Sequence, residues 1–243
     1  MNKLPLALLL LATGLIPVPA TALRPFDGTD ADVAPAGVFE LELGPLGLLR
    51  EGSSRHLVTP AAVANIGLGA FNELVLEGRA VHRLDGGDGR RTQFEDAAIS
   101  VKRVLRQGAL QDGGSGASIA MECSLLLPGS DEATGAGCAG IVSQRLSHAT
   151  LHWNAALART RDRKVQRALG LIVVGGHEGD TWQPVAEALL TRAAGHASTR
   201  SMLLGLVARR SASLALDVGV RKAIGGDGRT MELRAGLTWM TQH

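Results

Sequence analysis

Two runs near the end of the chain alternate apolar and polar residues without a break. Leu214, Leu216, Val218 and Val220 share one side of an extended chain, and Ala215, Asp217, Gly219 and Arg221 share the other. After Gly225-Gly226-Asp227-Gly228 the alternation resumes. Met231, Leu233, Ala235, Leu237 and Trp239 are apolar, while Glu232, Arg234, Gly236 and Thr238 are polar or small. A period of two on both sides of a Gly/Asp turn predicts an antiparallel β-hairpin. Each arm is about ten residues long, more than the roughly five or six of a typical soluble strand. Strands of ~9–11 residues are what a tilted strand needs to cross a bilayer.

The same unit repeats upstream. Phe39, Leu41 and Leu43 alternate with Glu40 and Glu42 before Gly44-Pro45 breaks the pattern, and Arg50 to Arg55 reads as a charged turn. Strands are predicted over Leu57 to Ile66, Glu73 to Leu84, Phe94 to Leu105 and Ser118 to Leu127. Further strands follow over Cys138 to Leu146, Thr150 to Arg159, Val165 to Val174, Trp182 to Arg192 and Ser201 to Arg210. Short connections alternate with longer Gly/Asp/Arg loops, as expected when one barrel mouth carries short turns and the other long ones. No segment of convincing length has the helical period. The fold class that follows is all-β, an antiparallel up-and-down transmembrane β-barrel of about twelve strands.

Length and composition change this picture only at the ends. In the 243-residue chain, Lys3 precedes an apolar run from Leu4 to Val18 that exits at Pro19-Ala20-Thr21-Ala22. That is the form of a secretory signal peptide, expected over residues 1–22, with a single barrel domain over 23–243. Residues 23–37, Pro-rich and carrying Asp27, Asp30 and Asp32, read as an exposed, extended lead-in. No later stretch has the roughly eighteen consecutive apolar residues of a spanning helix, and without such helices only a closed barrel crosses a bilayer. The formal net charge is +2, and losing Lys3 with the signal lowers it by one. That balance excludes an electrostatic nucleic-acid binder.

Candidate chemistry concentrates on the polar faces. Glu77, Arg79, Glu122, His152, Asn154, Glu187, Asp217, Arg221, Glu232 and Arg234 have the parity that a barrel turns inward. With the last turn centred on Gly226-Asp227, Arg221 lies opposite Glu232 and Asp217 diagonal to Arg234. Such residues either form a charged constriction that selects solutes or knit an ion-pair network that fills a narrow lumen. Cys123 and Cys138 flank a Pro128-Gly129-Ser130-Asp131 turn at similar distance. They are either a cross-strand disulfide in an oxidising compartment or two small apolar residues on a strand face.

Enzyme chemistry finds no constellation. His148 and His152 stand about 13 Å apart on a strand, too far for a shared metal. Adjacent Ser147 and His148 point to opposite faces, unlike a nucleophile and its base. The Gly-rich stretches at 86–89 and 175–179 do not lead from a strand into a helix, so turn chemistry explains them better than phosphate binding. No metal or other cofactor is expected.

Several stretches resemble a bacterial outer-membrane β-barrel family of transporters, of the MetA-pathway of phenol degradation type. They are Arg24-Pro25-Phe26, Gly37-Val38-Phe39-Glu40-Leu41-Glu42, Pro184-Val185-Ala186-Glu187, and Leu216-Asp217-Val218-Gly219-Val220-Arg221 through Gly236-Leu237-Thr238-Trp239. The resemblance implies a Gram-negative outer-membrane location and a barrel of about twelve strands. It says little about the solute. Two departures stand out. The chain has no Tyr, four Phe and three Trp, so aromatic girdles would be sparse, with Trp153, Trp182 and Trp239 as anchors. The last strand of such barrels ends on an aromatic residue that the assembly machinery reads, whereas here Trp239 is followed by Met240-Thr241-Gln242-His243.

The leading expectation is thus an outer-membrane barrel that passively conducts a small solute, with membrane lipid and the assembly machinery as partners. The alternatives are a closed structural or interaction barrel, and a soluble periplasmic β-sandwich that binds a ligand.

Overall fold

The computed structural model describes residues 24–85, 92–129, 133–177, 179–225 and 228–241. The signal peptide expected over 1–22 lies outside them. Twelve strands follow one another: β1 (Phe39–Glu51), β2 (Ser54–Gly67), β3 (Asn72–Arg83), β4 (Thr92–Arg106), β5 (Ser118–Leu126) and β6 (Gly135–Arg145). The second half comprises β7 (Ala149–Arg159), β8 (Val165–Gly175), β9 (Trp182–Ala193), β10 (Thr199–Ser211), β11 (Leu214–Gly225) and β12 (Gly228–Met240). Each pairs antiparallel with its sequence neighbours, and β1 pairs with β12 to close the barrel. Closure leaves no sheet edge with unpaired backbone groups. It also overturns the sandwich alternative, because there is one sheet and its apolar faces point outward.

The period-two pattern explains which way each strand faces. Leu204 and Met202 on β10, Leu169 on β8 and Leu157 on β7 are more than half exposed on the outer wall. Leu203, between the first two, and Ile172, of opposite parity to Leu169 on β8, are fully buried inside. A twelve-residue strand rises about 40 Å, and the usual barrel tilt reduces this to about 30 Å of height, enough for a hydrocarbon core. The wall is therefore apolar where lipid would touch it and mixed where it would not.

Proline and glycine set the departures from regular pairing. The break expected at Gly44-Pro45 is a register shift inside β1, between Leu43 and Leu46, rather than the end of a strand. A second shift lies between Val58 and Ala61 of β2, around Pro60. A proline has no N–H to give the ladder, so it sits where the ladder already slips. The turn expected across Arg50 to Arg55 contracts to residues 52–53, because Arg50 pairs with Arg55 and Glu51 with Ser54 in the ladder.

The C-terminal tail has a structural role. Met240 pairs with Glu40 and packs on Val38. Thr241 N–H donates to the Phe39 carbonyl at 2.9 Å, and Phe39 N–H donates to Thr241 Oγ1 at 3.0 Å. Met240 and Thr241 lock the β1–β12 seam, and Trp239 meets Phe39 edge-on at 6.4 Å.

Loop lengths do not divide as expected. The longest connection, residues 107–117, lies at the mouth that holds the chain ends, not at the opposite one. It turns over that mouth to meet the lead-in, where Gln111 Nε2 donates to the Ala31 carbonyl at 2.9 Å. The lead-in itself corrects the sequence reading more sharply. Residues 24–34 are not an exposed tail but thread the barrel interior, with Pro25 and Ala31 fully buried, and the exposure expected of the lead-in is met at Pro35 to Gly37. A polar segment suits that place because a polar inner wall can satisfy its backbone groups, and buried N–H groups must be satisfied.

Candidate functional site: the filled lumen

The lead-in is held mainly by side chains from the inner wall. Arg24 Nε donates to Asp217 Oδ2 on β11 at 3.3 Å. Gly28 and Asp27 donate their N–H groups to the two Glu187 oxygens on β9, at 2.8 and 3.2 Å. Asn154 on β7 makes a two-way clamp on Thr29, accepting its N–H at 3.1 Å and donating to its carbonyl at 2.9 Å. Ser143 Oγ on β6 accepts from Ala31 N–H at 2.9 Å, and Glu73 on β3 accepts from Ala34 N–H. Lys102 on β4 donates to Thr29 Oγ1 and Asp30 Oδ1, at 3.0 and 3.1 Å.

An ion-pair network joins the lead-in to the last strands. Asp27 lies between Arg221 (2.9 Å) and Arg234 (2.6 Å). Arg221 also meets Glu187, and Arg234 meets Glu232 at 2.7 Å. Burial acts to raise the Asp27 carboxyl pKa, but Arg234 and Arg221 outweigh it and hold the pKa below the usual value. Asp32, near the mouth, goes the other way. Burial, then the Asp30 charge, pushes its pKa up to about 6.

Two glycines make room for this segment. A Cβ on Gly219 would come within 2.8 Å of the Pro25 ring, and one on Gly236 within 2.3 Å of Arg24 Nε. Phe26 packs against Val185, Val207 and Ala215 on the same wall.

Of the ten residues picked out by parity, Glu187, Arg221, Glu232 and Arg234 meet in the Asp27 network. Although Arg221 is the register partner of Glu232, its ion pairs go to Asp27 and Glu187 instead. Asp217 anchors Arg24, and Asn154 clamps Thr29. Arg79 pairs with Glu95 and Asp96 at 3.0 and 2.9 Å. Glu77 and Glu122 border open space inside the barrel. His152 is buried with Nδ1 2.8 Å from Ser143 Oγ. This Ser–His contact lies under the lead-in, away from the interior cavities, and Ser143 Oγ already accepts the Ala31 amide. It offers no substrate access.

Parity reasoning missed Lys102, Glu42, Glu73 and Asn65, which share the inner face. It also missed Arg24, Asp27 and Asp30 altogether. The wall residues carried the same alternation signal as those selected. The lead-in carried none, because it has no strand period.

The lead-in does not fill the barrel. A cavity of about 310 Å³ near the chain-end mouth is bordered by Asp32, Glu40, Asn65, Glu73 and Lys102. A second, of about 320 Å³, shares Asn65, Glu73 and Lys102 with the first and reaches Glu42, Glu77 and Glu122. A third, of about 490 Å³, shares Phe26, Asp27 and Glu77 with the second and widens among Arg79, Arg161 and Arg234. Each cavity shares residues with the next, so they lie in series from one mouth to the other, bordered by β1 to β5 and, in the middle, also by β6 to β9.

Cys123 and Cys138 are register partners on β5 and β6, with Cα atoms 4.1 Å apart and their sulfurs bonded. Their parity, shared with the exposed Met121 and Leu125, places the disulfide on the outer wall.

No family model matches the sequence, and neither does any curated protein. Solved structures do share its architecture. An outer-membrane channel from Pseudomonas putida F1 is 10% identical with a TM-score of 0.58, over 89% of this chain and 100% of that one. The KdgM porin is 10% identical with a TM-score of 0.56, over 85% of this chain and 99% of that one. At such identity the likeness is one of fold: this chain has the closed twelve-stranded architecture of outer-membrane barrels.

Proposed function

We propose that this protein is a passive outer-membrane channel for a small solute, which travels past the lead-in through the three adjoining cavities. The observation that carries the reading is the series of three adjoining cavities, each with charged side chains on its wall, running the length of a barrel whose outer wall is apolar. The ten inward residues have two tasks on this reading. Glu187, Asp217, Arg221, Glu232, Arg234 and Asn154 hold the lead-in, His152 packs beneath it, and Glu77, Glu122 and Arg79 border the path, which Asn154, Glu232 and Arg234 also reach. Fixed charges in a narrow pore set selectivity.

The middle of the path is acidic. Glu42, Glu77 and Glu122 border it, and the one cation beside them among the described residues is Lys102, which is committed to Asp30. Small cations or neutral molecules fit that field better than polyanions. The KdgM porin has been solved with disordered oligogalacturonate, an acidic oligosaccharide. The carboxylates here argue for a different solute. The MetA-pathway type of transporter, which the sequence stretches resemble, belongs to the same proposal, as do export by the N-terminal signal and insertion by the assembly machinery.

The lead-in gives the closed-barrel alternative its one supporting observation, since it crosses the lumen. Liposome swelling separates the two. Reconstituted barrels are expected to admit small neutral sugars and alkali cations. Swelling no faster than empty liposomes for every solute tried would establish the closed scaffold. Membrane fractionation with a heat-modifiable gel shift checks insertion first, and a chain that stays in solution without detergent would sink both.

A further inference from the structure

The outer wall is asymmetric. Around the chain-end mouth it carries Trp182, Trp239 and Phe71, the kind of side chains that anchor at a lipid–water interface. Around the opposite rim it carries cations. Arg159, Arg167, Arg192, Arg200, Lys222 and Arg229 come one each from the six successive strands β7 to β12, and all are exposed. They share the outward parity of Leu157, Leu169, Met202 and Val220. The register keeps neighbours close: Arg167 faces Arg192, Arg200 and Arg229 both face Ile224, and Lys222 faces Met202 two residues further in. Successive members of the row differ by at most two residues along the ladder, about 7 Å of strand, so they form one continuous row.

None of the six pairs with an acid among the described residues. On β7 to β12 the carboxylates Glu187, Asp217 and Glu232 are all buried and committed inward. Six exposed, unpaired cations at the edge of an apolar band would be a solubility surface in a soluble protein. On a wall that faces lipid they need anionic neighbours.

The best-formed part is a groove of about 590 Å³ on the outer surface, bordered by Ser198, Arg200, Met202, Lys222, Ile224 and Gly225. Arg200 and Lys222 are diagonal neighbours across the β10–β11 pair, a separation of about 7–8 Å at the backbone that long side chains bridge. Their heads can converge on one phosphate, which arginine contacts through paired donors and lysine as a point charge. Met202 and Ile224 form an apolar floor, and Leu204 (63% exposed) continues it toward the middle of the wall.

We propose that this rim binds phosphate-bearing membrane lipids, with the Arg200–Lys222 groove seating one headgroup and the apolar floor its acyl chain. The floor selects a lipid over a free phosphate ion. The site is separate from the conducting path, so its test does not depend on solute transport.

The probe is bis-phosphorylated lipid A, added to the detergent-solubilised barrel and counted by native mass spectrometry, with phosphatidylcholine and inorganic phosphate as comparisons. The wild type is expected to retain lipid A in preference to phosphatidylcholine, with inorganic phosphate a weak competitor. Each cation near an anionic surface contributes about five-fold, so Arg200→Gln with Lys222→Gln should weaken lipid A binding about thirty-fold. Arg200→Lys with Lys222→Arg should keep most of it, and the heat-modifiable gel shift verifies that each variant is folded. Equal retention of lipid A and phosphatidylcholine would overturn the proposal, as would undiminished binding by the double glutamine variant. Displacement of lipid A by inorganic phosphate at comparable concentration would overturn it too, by making the groove a soluble-anion site.

Discussion

Glu187 offers the most direct access to the lead-in. Its two oxygens accept the Gly28 and Asp27 amides, at 2.8 and 3.2 Å, and also face Arg221. Hydrogen bonds to a charged group contribute about 1.5–3 kcal/mol each, and the longer of the two belongs at the low end. Glu187→Ala removes both acceptors while Arg221 keeps Asp27 at 2.9 Å. The loss in favour of the seated lead-in is therefore about 3 kcal/mol, or about a hundredfold in its docking equilibrium. Arg234–Asp27, Lys102–Asp30 and the Ser143 and Glu73 bonds remain, so the variant should loosen the segment rather than release it.

Planar-bilayer recording reads this out. Wild-type channels should show a small, steady conductance set by the cavities beside the lead-in. Glu187→Ala should add brief excursions to a larger level. A chain lacking residues 24–36 should occupy that larger level permanently. Hydrogen exchange at the Gly28 amide should quicken about a hundredfold in Glu187→Ala, in step with the excursions. Equal conductance in the wild type and the deletion would refute occlusion by the lead-in. If the deletion conducts more but Gly28 exchange is unchanged in Glu187→Ala, the role given to Glu187 is wrong.

Glu77→Gln with Glu122→Gln should lower the cation-to-anion permeability ratio, measured as a reversal-potential shift in a salt gradient, and an unmoved potential would remove both from the path. Asp32 titrates near 6, above the ordinary carboxylate value of 3.8, so its proton is held more tightly in the seated lead-in than in a detached one. Seating should therefore tighten as pH falls from 7 through 6 toward 4 and weaken again above 6. In Asp32→Asn, hydrogen exchange at the Val33 amide should lose that part of its pH response. The groups facing Asp32 are Asp30, Lys102 and Gln111, and they are unchanged in this variant. Leu204→Arg, placing a cation on a 63% exposed lipid-facing position, should destabilise the barrel by about 2–4 kcal/mol at mid-depth, seen as a lower temperature for the heat-modifiable shift. Reducing the Cys123–Cys138 disulfide, which closes a segment of 15 residues, should cost up to about 3 kcal/mol by the same assay without opening the barrel.

The barrel was legible because alternation is a strong signal wherever one face is apolar and the other polar. Leu216-Asp217-Val218-Gly219-Val220-Arg221 assigns its own inward and outward sides, and the Gly/Asp turn fixes its partner's register. Strand ends were less legible where Pro45 and Pro60 intervene. A proline in a regular ladder argues for an end, but a register slip accommodates it, and the pattern alone does not distinguish these. The tail after Trp239 was opaque for a similar reason. Met240 and Thr241 act through the β1–β12 seam, a contact between the two ends of the chain that no local period reports.

The lead-in was illegible for a deeper reason, and it changes how the inward charges are to be understood. Parity says that Asp217, Arg221 and Arg234 face inward, but not whether they face water, one another or a third segment. Lumen carboxylates and guanidiniums left in water could be exchanged for other polar groups at little cost. Here their partners are specific: Arg24 for Asp217, and Asp27 for both Arg221 and Arg234. Gly219 and Gly236 lack the Cβ atoms that would crowd Pro25 and Arg24. Charge, shape and the small residues of β11 and β12 thus match one segment of the same chain. Glu77 and Glu122 have no such match among the described residues and border open space instead. Selectivity should accordingly respond to Glu77 and Glu122, which border the cavities, and seating of the lead-in to Glu187, Asp217 and Arg221, which border none of the three. A barrel in which both sets changed selectivity alike would place the path through the lead-in rather than past it.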